Sequence, residues 1–213
     1  MKDAKVRDYK DYDEYVSHQK EKTERTVKNS NALLDLEQRL AARKQTFRER
    51  FEELNRALSE NDKAAPILLP GKLFLCLGAR LGSEVEALKD MGLAGHGIDL
   101  VPYKPHVLEG DFHNLKLEDG VLDIVYTNSI DHCYDLKGIL TEGTRVLSPA
   151  GHFIIDVFPG NFSTHESIMI DTPEQIIEAT PEALQLRYAL DNAARLYNKE
   201  CVQLVFQKIG DND

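Results

Sequence analysis

From Leu73 onward the chain alternates short apolar runs with amphipathic segments, and its first such unit, LFLCLGARLGSEVEAL, narrows the choice of fold most. Leu73 to Leu77 is an uninterrupted apolar run, which suits a strand buried on both faces. Gly78 ends the run. The segment GSEVEALKDMG then has helical spacing, with Ser83 placed as its N-cap and Gly92 as its stop. The pattern recurs. AGHGIDL is a second strand, KPHVLEGDFHNL holds a short third and VLDIVYTNS is a fourth. LKGILTEGTRVL is a helix, and GHFIIDVF is a fifth strand after the turn SPAG. TPEQIIEAT is a further helix, begun by Thr172 with Pro173 at its first position, and NKECVQLVFQKI is a strand after a turn at Asn198. Alternating strands and helices predict an α/β domain whose mainly parallel sheet is covered on both faces.

The first 65 residues differ in kind. They contain no glycine and no proline, and they are rich in Lys, Arg, Glu and Gln. Leu33, Leu36, Leu40, Phe47, Phe51, Leu54 and Leu58 recur at helical spacing. A short helix is expected near Tyr12 to Thr26 and a long one near Leu33 to Glu60, with Asn29, Ser30 and Asn31 as candidate caps and NDKAAP as the break. Arg43 and Arg50 interrupt the apolar stripe. Packing on the protein's own body or across a homodimer therefore suits it better than a free coiled coil. Residues 1–65 are read as a helical arm or lid, and residues 66–213 as the α/β domain.

Composition removes several function classes. The net charge is −10, from 36 acids against 26 bases, which argues against a nucleic-acid partner because phosphate contacts demand a basic surface. No apolar run approaches the ~20 residues a membrane helix needs, and the charged N-terminus MKDAKVRDYKDYDEY is unlike a signal peptide. A cytoplasmic protein without membrane contact is expected. Three dispersed cysteines, Cys76, Cys133 and Cys201, suggest neither a disulfide framework nor a zinc site.

In such sheets a ligand sits beyond the carboxyl ends of the strands, at the switch point beside the first. Gly78 permits a sharp turn, and Gly82 lets a helix begin close to the ligand, its amides favouring a negative group. Asp99, 21 residues after Gly78, can accept hydrogen bonds from two ribose hydroxyls. NAD and S-adenosylmethionine fit this much equally. The dinucleotide fingerprint G-x-G-x-x-G is absent, because Gly78-Ala79-Arg80-Leu81-Gly82-Ser83 stands in its place.

The stretches GDFHNLKLEDGVLDIVYTNSIDH and TEGTRVLSPAGHFIID carry more. Gly110-Asp111-Phe112, Leu122-Asp123-Ile124-Val125 and the run Glu142 to Gly151, taken with the first loop, resemble the class I, seven-stranded, Rossmann-like S-adenosylmethionine-dependent methyltransferases. The resemblance spans about Lys72 to Phe158. It implies a doubly wound, mainly parallel seven-stranded sheet with an antiparallel C-terminal hairpin. It also implies S-adenosylmethionine as cofactor and S-adenosylhomocysteine as product. Gly78, Arg80 and Gly82 would line the methionine end, Asp99 would bind the ribose and Leu100 would face the adenine. Asp111 would accept from the adenine amine with Phe112 beside the ring, and the Asn128 carbonyl would meet the methionine amine. Asp123 is read as structural.

Two residues depart from the family pattern. Cys76 stands where an acid is usual, and Arg80 replaces the middle glycine of the loop. The Arg80 side chain is expected to leave the cofactor path, pairing with Glu84 or Asp131, and to anchor the loop or the methionine carboxylate.

Methyl transfer needs the nucleophile and methyl held in line, and an oxygen nucleophile also wants a general base. Asp131-His132, in the loop TNSIDHCYD, is the catalytic candidate, with Asp135 as helper. His165-Glu166 is a second candidate for substrate contact. Asp123, Asn128 and Asp131 could be imagined around a divalent ion, but the adjacent Asp-Asn pair of metal-dependent relatives is missing, so no metal is expected. An NPPY-type loop is absent too, which favours a small-molecule or glycan acceptor over a base. A catalytically silent protein that binds cofactor or a protein partner is the alternative, and an NAD oxidoreductase is disfavoured by the loop.

Overall fold

The computed structural model describes residues 5–28, 33–60, 65–103, 105–162, 166–196 and 199–210. In chain order, β1 (Lys5–Val6) precedes α1 (Tyr12–Lys28) and α2 (Leu33–Glu60). These are followed by β2 (Leu73–Leu77), α3 (Ser83–Asp90), β3 (Ala94–Asp99), β4 (Val107–Glu109) and β5 (Leu122–Thr127). Next come α4 (Leu136–Val146), β6 (Leu147–Val157), β7 (Ile168–Met169), α5 (Glu174–Ala179), β8 (Leu184–Leu196) and β9 (Lys199–Lys208). Seven strands form one sheet in the order β4-β3-β2-β5-β6-β9-β8, while β1 and β7 pair separately. Strands β2 to β6 are parallel, and β9 runs antiparallel to both β6 and β8. The chain moves outward from β2 to β4 and returns to β5 on the other side of β2. A switch point therefore opens between β2 and β5.

The continuous apolar runs follow from burial on both faces. Leu75, Leu77, Val125, Phe153 and Ile155 face a core closed by Ile139 and Leu140 of α4 and Ile176 of α5. Phe74, Cys76, Ile124, Tyr126 and Ile154 face the other core, closed by Phe47, Phe51, Leu54 and Leu58 of α2 and by Val85 and Leu88 of α3. The stripe of α2 is thus used inside the protomer, where Phe51 meets Tyr126 edge to face at 5.1 Å.

Arg50 interrupts that stripe in sequence and is fully buried in the structure. Its guanidinium donates to Asp156 Oδ1 at 2.8 Å, while Tyr126 donates to Asp156 Oδ2 at 2.6 Å and Gln203 to Oδ1 at 2.9 Å. One buried carboxylate therefore ties α2 to three strands of the sheet.

Some local expectations change. The N-cap of α3 is Gly82, at φ 76, and the Ser83 hydroxyl donates to the Leu40 carbonyl at 3.5 Å instead of capping. α5 starts at Glu174, with Pro173 as its N-cap. SPAG lies within β6 as a bulge: Leu122 pairs with Leu147 but Ile124 with His152, so the four residues leave the ladder. The candidate caps at Asn29 to Asn31, most of the NDKAAP break and the turn at Asn198 lie outside the described residues. Among the described residues, no helix is long and apolar enough to cross a membrane.

Candidate functional site

The loop after β2 is held by its own backbone. Gly78 has φ 69, and a Cβ there would meet Ser129 Cβ at 2.9 Å, so only glycine fits against the loop after β5. Arg80 also lies in the left-handed region, at φ 33. That backbone is usually reserved for glycine and costs another residue about 1–3 kcal/mol. Two bonds fix it there: Arg80 N–H donates to Asp99 Oδ2 at 3.0 Å, and the Arg80 carbonyl accepts from Tyr103 N–H at 2.8 Å. Asp99 Oδ1 accepts from Val101 N–H at 2.9 Å. Asp99 is therefore first a clamp on the loop, and it also lines the cleft. Among the described residues no ion pair joins Arg80 to Glu84 or Asp131, although the charge of Arg80 acts on Glu84 through space.

Beside this loop the cleft has two adjoining parts. The smaller, of about 40 Å³, is lined by Gly78, Arg80, Asp99, Leu100, Phe112, Ser129 and His132, with Tyr15 and Gln19 of α1 closing it. Sequence reading missed how α1 is fastened. Tyr12 donates its hydroxyl to Asp111 Oδ2. His113 donates its backbone N–H to Asp111 Oδ1 at 2.8 Å. His113 Nε2 accepts from the amides of Tyr134 and Asp135 at 3.1 and 3.2 Å. The proton of neutral His113 then sits on Nδ1, which donates to Asp111 Oδ1 at 3.1 Å. Burial works against the Asp111 charge, but these donors outweigh it and hold the carboxyl down at about 2. Asp111 faces α1 and does not line the cleft.

The larger part, of about 140 Å³, is lined by Gly78, Arg80, Arg43, Phe47, Glu84, Asn128 and His132, among others. Asn128 Oδ1 accepts from the Ser129 hydroxyl at 3.1 Å. Its buried Nδ2 has no hydrogen-bond partner among the described residues. Glu84 is 5 % exposed. Burial, aided by the charge of Asp99, pushes its carboxyl up to about 8, while its own amide, Arg43 and Arg80 pull the other way. Cys76 is fully buried beneath it, and its thiol is pushed up by burial and by the Glu84 charge.

His132 borders both parts of the cleft. Its Nε2 lies 3.7 Å from Asp131 Oδ1, and Asp131 is buried behind it. The Asn161 amide donates to Asp131 Oδ2 at 3.0 Å and to Glu166 Oε1 at 3.1 Å. Two dipeptides far apart in sequence, Asp131-His132 and His165-Glu166, thus meet through Asp131 and Glu166; His165 lies outside the described residues. Asp131, His132 and Glu166 each bring one ligand atom within 4.8 Å of the others, the spacing of a metal site. The imagined set Asp123, Asn128 and Asp131 does not assemble. Asp123 sits at the far end of the sheet, accepting from Lys72 Nζ at 2.7 Å and Leu73 N–H at 2.8 Å, as its structural reading required.

The fold therefore gathers Gly78, Arg80, Asp99, Leu100, Phe112, Asn128 and His132 beyond the carboxyl ends of β2, β3, β4 and β5. It leaves Gly82 behind against Val107, and Asp111 under α1. A wider hollow of about 560 Å³ around Lys72, Asp123 and His152 opens at the opposite ends of the parallel strands, away from the switch point.

Residues 75–155 match the family model described as a methyltransferase domain. Among curated proteins, none matches the chain. Solved structures share its architecture. The 1,6-didemethyltoxoflavin-N1-methyltransferase of Burkholderia thailandensis, with 1,6-didemethyltoxoflavin and S-adenosylhomocysteine bound, superposes over 97% of this chain and 95% of its own, at TM-score 0.66 and 14% identity. The Haloferax volcanii protein in complex with the Trm112 methyltransferase activator covers 76% of this chain and 94% of its own, at TM-score 0.55 and 18% identity. The [4+2]-cyclase SpnF covers 73% and 81%, at TM-score 0.57 and 14% identity. At such identities the likeness is one of fold.

Proposed function

We propose that the chain binds S-adenosylmethionine in the cleft between β2 and β5, a reading supported by the match of residues 75–155 to a methyltransferase-domain model and by the shared class I S-adenosylmethionine-dependent methyltransferase fold. The proposed reaction is methyl transfer to a small-molecule or sugar hydroxyl. The residues present suit the cofactor. Gly78 brings backbone to the cleft, Asp99 lines it where a ribose would lie, and Leu100 and Phe112 provide apolar surface beside a base. Asn128 supplies a buried amide that still lacks an acceptor. When bound, the group would supply an electrophilic methyl on its sulfonium.

His132 carries the catalytic part of the reading. Its imidazole borders both parts of the cleft and can take the proton of an acceptor hydroxyl. Asp131, buried 3.7 Å from Nε2, favours the imidazolium that results. Asn161 holds Asp131 in place. α1 acts as the lid, since Tyr15 and Gln19 close the smaller part of the cleft to about 40 Å³.

The test pairs binding with turnover. Labelled S-adenosylmethionine is incubated with a metabolite extract and wild-type or His132→Gln protein. Methylated product from wild type, and at least a ~100-fold loss in the variant with unchanged S-adenosylhomocysteine affinity, is the expected result. Equal turnover by the variant removes His132 from the chemistry.

A second reading, a silent methyltransferase-fold protein that binds cofactor or a protein partner, draws support from Arg80 in the place of a glycine. Two of the structural neighbours, a cyclase and the Trm112-bound protein, illustrate how varied this fold's uses are. Binding of S-adenosylhomocysteine without any labelled product would favour that reading.

A further inference from the structure

The hollow at the opposite ends of the parallel strands has a volume of about 560 Å³, against about 140 Å³ for the larger part of the cleft. That is within the ~300–1,000 Å³ typical of small-molecule sites. Its walls are fixed from two sides. Leu58 ends the apolar stripe of α2, and Asn55 ties the returning chain to that helix. Asn55 Oδ1 accepts from the amides of Ile67 and Leu68 at 3.1 and 3.0 Å, and its Nδ2 donates to the Leu68 carbonyl at 2.8 Å. Leu58 and Ile67 thus line the hollow from one side, and Ile124, Tyr188 and Val205 line it from the sheet. The bulge Ser148 to Gly151 supplies the other side. Ala150 holds it at φ 64, and its carbonyl accepts from Gln207 Nε2 at 3.4 Å. Bulges re-aim the side chains beside them, and the residue directly after this one, His152, lines the hollow.

The polar groups of the hollow do not balance. Lys72 Nζ pairs with Asp123 Oδ1 at 2.7 Å. Arg187 Nε donates to Gln207 Oε1 at 2.9 Å, a neutral partner, and among the described residues no carboxylate pairs with this guanidinium. The His152 imidazole is half-buried and has no hydrogen-bond partner among the described residues. Burial, then the charges of Lys72 and Arg187, hold it down at about 4, so at neutral pH it is uncharged with one N–H to donate. Two cations against one carboxylate leave the lining with one uncompensated positive charge, in a chain whose net charge is −10. We propose that this hollow is a second ligand site, separate from the cleft, for a small organic carboxylate with an apolar body. Its carboxylate accepts from Arg187 and from the His152 N–H, while its body lies against Leu58, Ile67, Ile124 and Val205. One negative charge matches the one unpaired cation. A phosphomonoester brings nearly two at neutral pH and leaves the second unmet. The site does not depend on the cofactor reading, because no residue of the cleft lines it.

The experiment is calorimetric titration of wild type, Arg187→Gln and His152→Phe with 2-naphthoate and its uncharged twin, 2-naphthamide. Wild type should bind 2-naphthoate saturably at one site per chain, and about tenfold more tightly than the amide. Arg187 is exposed on an edge strand, so its replacement leaves the fold intact. Arg187→Gln should lose about tenfold in 2-naphthoate affinity and keep its 2-naphthamide affinity within about twofold. His152→Phe keeps a ring in place and should weaken 2-naphthoate several-fold through the lost N–H. Saturating S-adenosylhomocysteine should leave 2-naphthoate affinity within about twofold, because the two sites lie at opposite strand ends. Absence of saturable 2-naphthoate binding overturns the site, as does equal affinity for the two probes. Unchanged affinity in Arg187→Gln overturns it as well. Displacement of 2-naphthoate by S-adenosylhomocysteine would put the acid in the cleft and overturn it too. If S-adenosylhomocysteine itself does not bind, the cofactor reading falls while the two variants still decide this site.

Discussion

The hydroxyl of Tyr12 donates to the carboxylate of Asp111, residues 99 positions apart in sequence, and so fastens α1 over the end of the cleft. Tyr15 and Tyr134 pack around the pair, with ring centroids 5.3 and 5.2 Å from that of Tyr12. If α1 is a lid, this bond must break whenever it lifts. Tyr12→Phe removes the bond and keeps the aromatic packing. Stopped-flow measurement should show S-adenosylhomocysteine entering the variant several-fold faster than wild type. An unchanged association rate would mean that α1 does not gate entry.

The buried pair of Arg50 and Asp156 makes a prediction about stability. Arg50→Met leaves Asp156 without its cation in the core, and losing one partner of such a pair costs roughly 3–5 kcal/mol. Adding Asp156→Asn removes the stranded charge and should recover much of the loss. Urea denaturation midpoints of the single and double variants check both. A single variant as stable as wild type would show that α2 is held by its apolar stripe alone.

Glu84 gives a pH dependence whose sign is fixed by the direction of its shift. Its carboxyl rises from an ordinary 4.5 to about 8 on folding, so the folded state holds the proton more tightly than the unfolded chain. Its contribution is fully present below the unfolded value and is lost as pH rises through about 8. Glu84→Gln should therefore be more stable than wild type at pH 9, by on the order of 2–4 kcal/mol, with the gap closing toward pH 5. Asp111 acts oppositely, contributing above its ordinary range and losing that contribution as pH falls toward about 2. Thermal unfolding of wild type and Glu84→Gln between pH 5 and 9 reads the first effect; parallel curves would contradict it.

Arg80 occupies a backbone region suited to glycine, held by Asp99 and Tyr103. Its side chain borders both parts of the cleft, which fits a role beside the cofactor's carboxylate. Arg80→Ala keeps the backbone demand and removes the charge, and should weaken S-adenosylhomocysteine by about tenfold in calorimetry. Unchanged affinity would leave Arg80 with its backbone role only.

The sheet was legible because its central strands are buried on both faces, so LFLCL, LDIVYT and HFIIDVF read as apolar runs between glycine and acidic stops. α2 was legible from its stripe, although not that Arg50 inside the stripe would be buried on Asp156. Strand β8, at the sheet edge, was implied as one half of the expected C-terminal hairpin, but its residues were not located in the sequence. One of its neighbouring positions is empty, and Arg187, Asp191 and Asn192 dilute its apolar pattern. In the cleft, Gly78 and Asp99 could be placed because their roles are local, whereas Gly82 packs against Val107. The joining of Tyr12 to Asp111 and of Asp131 to Glu166 through Asn161 depends on tertiary contacts that carry no spacing signal. Glu84 was read only as a neighbour for Arg80, because its burial against Cys76 follows from the way α2 covers α3.

One ligand in one cleft carries the proposed function. Calorimetric titration of the wild-type protein with S-adenosylhomocysteine, with NAD as the comparator, tests it most directly. Saturable binding at one site per chain for S-adenosylhomocysteine and no heat from NAD is the result predicted. A flat titration with S-adenosylhomocysteine, or binding of NAD in its place, would contradict it.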